Sequence, residues 1–413
     1  MLQEIAVAEL RLGMYVAKVP GSWLAHPFWR THFRLADAHD LALLKASGIR
    51  SVWIDTAKSD TAAGSAPTDA PAAAAQRHAP AAITAAVAPA PVALENEMAR
   101  AEALLKQARG VVKSMFGDAR MGQALQTDQA LQLVDEVNAS VERNAGALLS
   151  LAHLKARDDA LYQHAIAVCA LMVALARRLG LPPEQVRAAG MAGLLHDIGK
   201  ARLPDSILNK RGRLSEVELE RMRKHPEIGY RLLRASGVQC EVALDACLHH
   251  HERPDGRGYP HGLRGGQIGL HAGMLAVCDM YDTITSAQPY AQASSPDEAI
   301  HRMAQCAASQ FDQHTFHAFV RAVGIFPVGS LVRLASDRLA LVIENDPQAL
   351  LTPRVKVVYS VARRSLLAPL VIDLARQTDD RIVARVDPAE WGLGSLTRLR
   401  SRLHQELLQP VAG

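Results

Sequence analysis

The ten residues MAGLLHDIGK, numbered 191–200, decide the fold and the chemistry of this chain. The apolar run MAGLL predicts the end of a buried helix, and His196 and Asp197 follow it just before Gly199 turns the chain away. A histidine at a helix end also interacts favourably with the helix dipole, so the dipeptide alone leaves a purely structural role open.

The sequence on both sides of this stretch is built in the same way. Between residues 151 and 325, apolar-striped helical segments alternate with glycine and proline breaks, such as GLPP at 180–183. Hydrophobic residues make up 49% of the chain but aromatic residues only 4%, which favours helices packed through Ala and Leu over a sandwich or barrel. The sequence therefore predicts a mainly α protein with a helical bundle at its centre.

Further polar residues interrupt the apolar stripes of this bundle. His164 and Asp279 lie within apolar helices, His225 precedes a helix start, and His250 and His251 end an apolar helix. Each histidine alone is also explained as a core, loop or surface residue. Asp279 needs a partner, however, because an unpaired buried carboxylate is costly, and a metal ion is one such partner.

Taken together, these residues combine imidazoles and carboxylates without a thiolate, on five helical segments. Such nitrogen and oxygen ligands suit iron, manganese or zinc. One ion cannot use seven side chains, whereas two octahedral ions can, with Asp197 bridging them through its two oxygens. The candidate metal ligands are His164, His196, Asp197, His225, His250, His251 and Asp279.

Paired ions about 3.5–4 Å apart generate hydroxide at neutral pH and hold both oxygens of an in-line displacement, which predicts a phosphodiesterase with Asp197 as a catalytic bridge. Lys200, otherwise an ordinary helix-end lysine, would offset phosphate charge in the transition state. Asp255, Arg257 and Tyr259 lie in the glycine-rich turn DGRGYP, which is suited to lining a nucleotide pocket. Without the preceding histidines, this turn would read merely as a tight loop.

The rest of the chain divides by composition. Residues 1–55 mix extended and helical patterns and predict a small α+β domain, and residues 56–93 form an Ala/Pro-rich linker. Helical periodicity returns over 94–150, before the catalytic region at 151–325. Short β-branched runs over 326–413 predict a small β-rich C-terminal extension.

Charge and cysteine content exclude several classes of protein. The net charge is only +4, from 46 basic and 42 acidic residues, which gives no general case for binding long nucleic acid or a membrane. The five cysteines are scattered and never form Cys-x-x-Cys, so we expect neither a disulfide framework nor a zinc ribbon. With no leader-like start and no uninterrupted apolar stretch of about 18 residues, a cytoplasmic location is expected.

Residues 196–200, HDIGK, and 250–260, HHERPDGRGYP, resemble the two signatures of HD-GYP domains, and residues 12–55 resemble the N-terminal domain DUF3391. The resemblance implies hydrolysis of cyclic di-GMP to pGpG and then GMP, with Lys200 assisting at the phosphate. It also implies two divalent metals, commonly iron or manganese, held by the seven residues above. Members that bind a third metal carry a glutamate where this chain has Ala160, so we expect two ions.

The substrate side departs from the family pattern. Gly273 stands where an arginine is typical, and Gln288 and Ala291 replace the arginines of an Arg-Pro-Tyr-Arg run. Each lost contact would weaken substrate binding by roughly 1.5–3 kcal/mol. Two alternatives therefore stay open: a regulator with negligible turnover that binds a cyclic dinucleotide or a protein partner, and an HD hydrolase of another phosphoester. We also expect a signalling partner at the N-terminal domain and homodimerisation through 94–150.

Overall fold

The computed structural model describes residues 2–18, 33–35, 41, 45, 51–59, 94–152, 160–210, 212–286, 293–346, 349, 351–377, 379–386, 388–391 and 393. The chain divides into two compact units, residues 1–90 and 91–413. Each unit has its own core, and each is described by itself.

The first unit contains a four-stranded antiparallel sheet in the order β1-β4-β2-β3. Its strands are β1 (Leu2–Ala6), β2 (Tyr15–Lys18), β3 (Phe33–Arg34) and β4 (Ser51–Asp55). The register pairs Leu2 with Asp55, and alternate residues of β4 point into the core, where Val52 and Ile54 pack with Val16 and Leu35. Of the helix expected around residues 41–44, Leu41 is described and helical, while the linker beyond residue 59 lies outside the described residues.

The second unit begins with two long helices, α1 (Leu94–Met121) and α2 (Thr127–Ala152). They are separated at Gly122, whose φ of +75° ends α1 in a left-handed conformation that favours glycine. Glu97, near the start of α1, is fully buried and accepts hydrogen bonds from Ser140 and Arg143 of α2. This buried polar contact fixes the pairing of the two helices.

The helical bundle follows. Its longest helix, α3, is apolar and long enough to cross a membrane by length and composition, but 72% of its most apolar window is buried inside the protein, as in a core helix. The helices are α3 (Ala160–Arg178), α4 (Pro183–Leu195), α5 (Asp205–Leu208), α6 (Glu216–Met222), α7 (His225–Ala235), α8 (Glu241–His249), α9 (Leu270–Thr285), α10 (Pro296–Gln310) and α11 (Gln313–Val323).

Local signals in the sequence explain where these helices begin. Ser215 caps α6 in a reciprocal capping box with Glu218. Pro226 occupies the first turn of α7, where its missing N–H costs nothing. Helix α11 begins after Asp312, whose carboxylate accepts the amide of Thr315. The boundary at α7 places His225 at a helix start.

A five-stranded antiparallel sheet follows the bundle, in the order β8-β7-β6-β5-β9. Its strands are β5 (Leu331–Leu334), β6 (Arg338–Glu344), β7 (Arg354–Ser360), β8 (Ser365–Asp373) and β9 (Ile382–Arg385). Arg385 of β9 forms an ion pair at 3.1 Å with the buried Asp297 of α10, which joins the sheet to the bundle. The predicted fold class is confirmed: a mainly α protein with a helical bundle, a small N-terminal sheet and a C-terminal sheet.

Candidate metal centre

Five elements of the bundle bring polar side chains to one place. Helices α4 and α8 end beside it, α7 begins there, and α3 and α9 pass it, so the side chains come from the middle of two helices and the ends of three. The helix ends matter because there the chain can turn side chains away from the apolar stripe. The residues brought together are His164, His196, Asp197, His225, His250, His251 and Asp279.

His164, His196 and Asp279 form a first group, whose possible ligand atoms all lie within 4.8 Å of one another. Nε2 of His164 is 3.2 Å from Nε2 of His196 and 3.1 Å from Oδ1 of Asp279. Two imidazole nitrogens and a carboxylate oxygen in this arrangement can hold one metal ion. We call these three residues the carboxylate cluster.

His225, His250 and His251 form a second group with the same 4.8 Å limit. Nε2 of His225 is 3.2 Å from Nε2 of His250, and the rings of His250 and His251 are 4.1 Å apart. This group presents three nitrogens and no carboxylate of its own. We call it the histidine cluster.

Asp197 lies between the two clusters. Its Oδ1 is 3.2 Å from Nε2 of His225, and its Oδ2 is 3.4 Å from Nε2 of His196 and 3.6 Å from Nε2 of His164. One oxygen therefore faces each cluster, as the bridging hypothesis requires. The side chain is only 1% exposed, so water cannot easily replace these partners.

The second nitrogen of each helix-end histidine is held by the backbone. Nδ1 of His196, His225 and His250 lies 2.8 Å from the carbonyl oxygen three residues earlier, that of Gly193, Met222 and Cys247 respectively. A neutral imidazole that donates its proton from Nδ1 presents a lone pair at Nε2. The local fold therefore aims three lone pairs into the centre.

The environment of Asp197 tests whether a metal fits here. Its Oδ1 is buried and accepts no hydrogen bond within the described part of the chain, although it faces the lone pair of His225 at 3.2 Å. Two lone pairs that face each other repel unless a cation lies between them. A buried carboxylate oxygen without a partner is also costly. The donor set fits a divalent metal ion.

Burial and charge set different protonation states in the two clusters. Burial lowers the pKa of His225, lowers that of His250 far below its usual range, and brings that of His251 to about 3, so the histidine cluster is neutral at pH 7. Burial also opposes protonation of His164, but Asp279 and Asp282 outweigh it and raise the pKa of His164 to about 9. The carboxylate cluster therefore carries a proton at pH 7 before a metal binds.

Lys200 lies inside the centre. Its Nζ is 2.5 Å from Oδ2 of Asp197, and 23% of its side chain is exposed. Burial opposes ionisation of Asp197, but Lys200 and His196 hold the pKa of its carboxyl well below the usual range. The ammonium is the more exposed member of this pair, since the Asp197 side chain is only 1% exposed.

The glycine-rich turn comes closest to the centre through Tyr259, whose ring stacks on His251 at 4.7 Å and 27°. Gly258 allows this approach, because a Cβ there would lie 2.4 Å from the Cα of Glu252. Asp255 and Arg257 are exposed, and Oδ1 of Asp255 accepts the backbone amide of Arg257 at 2.9 Å. Of the three turn residues predicted to bind substrate, Tyr259 is the one with a direct contact to a metal-ligand candidate.

Three functional candidates escaped the sequence reasoning. Asp282, fully buried, lies 2.5 Å from Nδ1 of His164 and orients that ring. The guanidinium of the exposed Arg223 lies 5.6 Å from the ring centre of Tyr259. Glu252, 2% exposed, accepts the backbone amides of residues 261 and 263 and so shapes the turn. A second acid in the apolar helix α9 was the available signal for Asp282.

The departures from the family pattern lie partly within the described residues. Gly273 is on α9, and a Cβ there would meet nothing within 4 Å, so the position has space for a longer side chain. Gln288 and Ala291 lie outside the described residues.

Comparisons with known proteins were made for the whole chain. Residues 150–315 match the family model described as HD domain, and residues 2–130 match that of a domain of unknown function, DUF3391. The chain is 50% identical over 407 residues to the cyclic di-GMP phosphodiesterase PA4108 of Pseudomonas aeruginosa, which covers 97% of this chain and 95% of that protein.

More distant similarities are confined to part of the chain or to the fold. A 3'3'-cGAMP-specific phosphodiesterase of Vibrio cholerae is 36% identical over 179 residues, covering 42% of this chain and 41% of that protein. A solved structure, Bd1817, an HDG"Y"P protein from Bdellovibrio bacteriovorus, is similar with a TM-score of 0.45 and 17% identity, covering 77% of this chain and 98% of that one.

HD-domain phosphodiesterases depend on metal, which agrees with the two clusters. The identity to the Pseudomonas protein extends over nearly the full length of both chains and includes both matched domains. This chain belongs to the HD-GYP phosphodiesterase family, in the group that carries an N-terminal DUF3391 domain.

Proposed function

We propose that this protein hydrolyses cyclic di-GMP to linear pGpG and then to GMP, using two divalent metal ions, iron or manganese. The observation that carries the proposal is the pair of three-residue clusters on either side of the buried Asp197. The curated relative that is 50% identical is named a cyclic di-GMP phosphodiesterase, which supports the choice of substrate.

Each ion has a ligand set in this proposal. The carboxylate cluster would hold one ion and the histidine cluster the other, and Asp197 has one oxygen facing each cluster. When bound, such a pair of ions supplies hydroxide at neutral pH and neutralises the oxygens of the reacting phosphate. A mixture of imidazole and carboxylate ligands without thiolates suits iron, manganese or zinc, and the resemblance to HD-GYP domains favours iron or manganese among these.

Lys200 and Tyr259 act on the substrate. The ammonium of Lys200, which is more exposed than its partner Asp197, offsets the additional negative charge that the phosphate gains in the transition state. Burial raises the pKa of Tyr259, so its hydroxyl stays protonated and donates a hydrogen bond. Its ring, stacked on His251, offers a platform for a guanine base.

Arg223 supplies a cation on the substrate side, where the sequence lacks the family arginines. It lies over the ring of Tyr259, is exposed, and can reach a phosphate or the edge of a base. Asp255 and Arg257, also exposed on the same turn, complete the proposed substrate surface. Substrate recognition thus uses the turn and the start of α7.

The remaining segments have regulatory roles in this proposal. The catalytic domain spans 151–325, the domain at 1–55 docks a signalling partner, and residues 56–93 form the linker. The DUF3391 match continues to residue 130, into the helices assigned to dimerisation at 94–150. Light scattering tests the dimer: a monomer both with and without residues 94–150 would rule it out.

The test of the activity is a hydrolysis assay on the full chain, purified without oxygen and loaded with manganese. Chromatography follows cyclic di-GMP and, in parallel, 3'3'-cGAMP. We expect pGpG and then GMP, and a loss of about 10³-fold or more in His250→Ala and Asp197→Ala, because each removes a group on which the whole centre depends. His314→Ala, at an exposed position on α11, is the matched control and keeps the activity.

Three results would contradict the proposal in whole or in part. Tight binding of cyclic di-GMP without linear product would identify a regulator, and hydrolysis that survives both substitutions would place the chemistry elsewhere. Faster turnover of 3'3'-cGAMP than of cyclic di-GMP would overturn the proposed substrate and retain the reaction class.

A further inference from the structure

Two histidines outside the seven residues described above lie at the spacing of two ligands on one metal ion. His249, at the end of α8, and His261, in the glycine-rich turn, approach each other with Nε2 of the first 3.1 Å from Nδ1 of the second. Asp245, one turn earlier on α8, places Oδ1 2.8 Å from Nδ1 of His249. The three residues form a line from carboxylate to imidazole to imidazole.

This histidine pair closely matches a pair within the metal centre. The rings of His249 and His261 are 5.2 Å apart at 56°, and those of His225 and His250 are 5.3 Å apart at 53°. The close nitrogen–nitrogen distances are 3.1 and 3.2 Å. Nitrogens bonded to one zinc ion at about 2.0–2.1 Å are separated by roughly 3 to 3.4 Å, so both pairs have the spacing of two ligands on one ion.

The carboxylate beside this pair fixes its protonation. Asp245 accepts the Nδ1 proton of His249, which leaves the lone pair of Nε2 directed at His261. Asp282 likewise lies 2.5 Å from Nδ1 of His164, a member of the carboxylate cluster, and orients that ring. A carboxylate that orients a histidine and increases its basicity is the usual support of a metal-bound imidazole.

The second ligand is positioned by its backbone. The amide of His261 donates to Oε1 of the buried Glu252 at 2.6 Å, so the turn presents this residue from a fixed point. His261 is exposed, and 14% of the His249 side chain is exposed, so an ion can enter from solvent and retain water ligands.

We propose that His249 and His261 bind one transition-metal ion that prefers imidazole, with zinc as the representative ion. Two protein ligands hold it more weakly than the buried clusters hold theirs, and water completes its coordination. Because His261 follows Tyr259 by two residues and His249 precedes His250, the ion clamps the substrate turn to the helix end that carries the histidine cluster. The site is therefore a zinc-responsive restraint on the turn.

The experiment compares the manganese-loaded full chain with its His261→Ala variant after dialysis against micromolar zinc. Bound zinc is counted by mass spectrometry, and hydrogen exchange follows the amides of residues 252–263. His314→Ala, which removes another exposed histidine, is the control. Any zinc that exchanges into the buried clusters enters all three proteins alike, so the difference between them reports the new site.

We expect the parent and His314→Ala to bind one zinc ion more than His261→Ala, with slower exchange of the turn only in the first two. Asp245→Asn should lower the affinity for this zinc ion by about 10- to 100-fold, as loss of a supporting carboxylate does in other metal sites. Equal zinc contents in the parent and His261→Ala would overturn the site. If zinc binds but hydrogen exchange of the turn does not slow, the proposed restraint on the turn is wrong.

Discussion

The carboxylate cluster and the histidine cluster face the same aspartate but have opposite protonation states before metal binds. In the histidine cluster, burial among other imidazoles keeps the rings neutral, and backbone carbonyls orient His225 and His250. In the carboxylate cluster, two acids surround His164 and keep it protonated to about pH 9. The first is a ready acceptor of metal at neutral pH, whereas the second must lose a proton when metal binds.

The largest effect that separates the clusters is expected from Asp282→Asn. Asp282 orients His164, which belongs to the carboxylate cluster, so its loss should weaken metal binding there by about 10- to 100-fold and leave the affinity of the histidine cluster unchanged. Manganese titration followed by calorimetry measures both affinities. Asp297→Asn, which removes a buried acid paired with Arg385, is the control. Equal weakening of both ions would contradict the division into two clusters.

An effect of similar size is expected from pH. Since the pKa of His164 is about 9, protons compete with metal at the carboxylate cluster below that value, and its affinity should rise by about tenfold per pH unit between pH 7 and 9. The histidine cluster, with lowered pKa values, should be unaffected over this range. Metal titrations at pH 7, 8 and 9 check this. An equal dependence of both metal affinities on pH would contradict this difference between the clusters.

The raised pKa of His164 has the opposite consequence for the stability of the metal-free protein: stability falls as pH rises. His164 has a folded-state pKa above the ordinary value of 6.5, so its ion pairs stabilise the metal-free protein fully below pH 6.5. That contribution is lost as pH rises through 9, while metal binding becomes tighter. Metal-dependent stabilisation, measured as the difference in melting temperature with and without manganese, should therefore increase across this range.

The smallest effect is expected on the substrate side, which borders the histidine cluster through the stack of Tyr259 on His251. Arg223→Ala should raise KM for cyclic di-GMP roughly tenfold, because one charge-assisted contact is lost, and should leave the metal content unchanged. Steady-state kinetics and metal analysis together check it. Lys224→Ala, at the next exposed position, is the matched control. An unchanged KM would exclude Arg223 from substrate binding.

The sequence predicted the ligand candidates because each interrupts an apolar pattern or stands at a helix end. His196 and Asp197 end α4, and Asp279 is an acid within an apolar helix. Asp282 could not be assigned in the same way, because its partner His164 lies 118 residues away along the chain. Its role follows from the packing of α3 against α9, which periodicity does not specify.

The pairing of strands that lie far apart in the sequence could not be predicted from the sequence either. Extended runs around residues 15 and 53 predicted strands, but the register that joins Leu2 to Asp55 depends on which faces are buried together. Arg223 has no local signal either, since an exposed arginine before a helix is ordinary until Tyr259 is seen beneath it. The sequence alone indicated which residues could bind metal, whereas the contacts between helices and strands could be identified only from the fold.

The most direct test of the two-metal centre is the metal content of the full chain, purified without oxygen and without added zinc, measured beside His164→Ala and His251→Ala. The account predicts two ions of iron or manganese per chain, and one fewer in each variant, because each variant removes a ligand from a different cluster. One ion or none in the parent, or two ions retained in either variant, would contradict it.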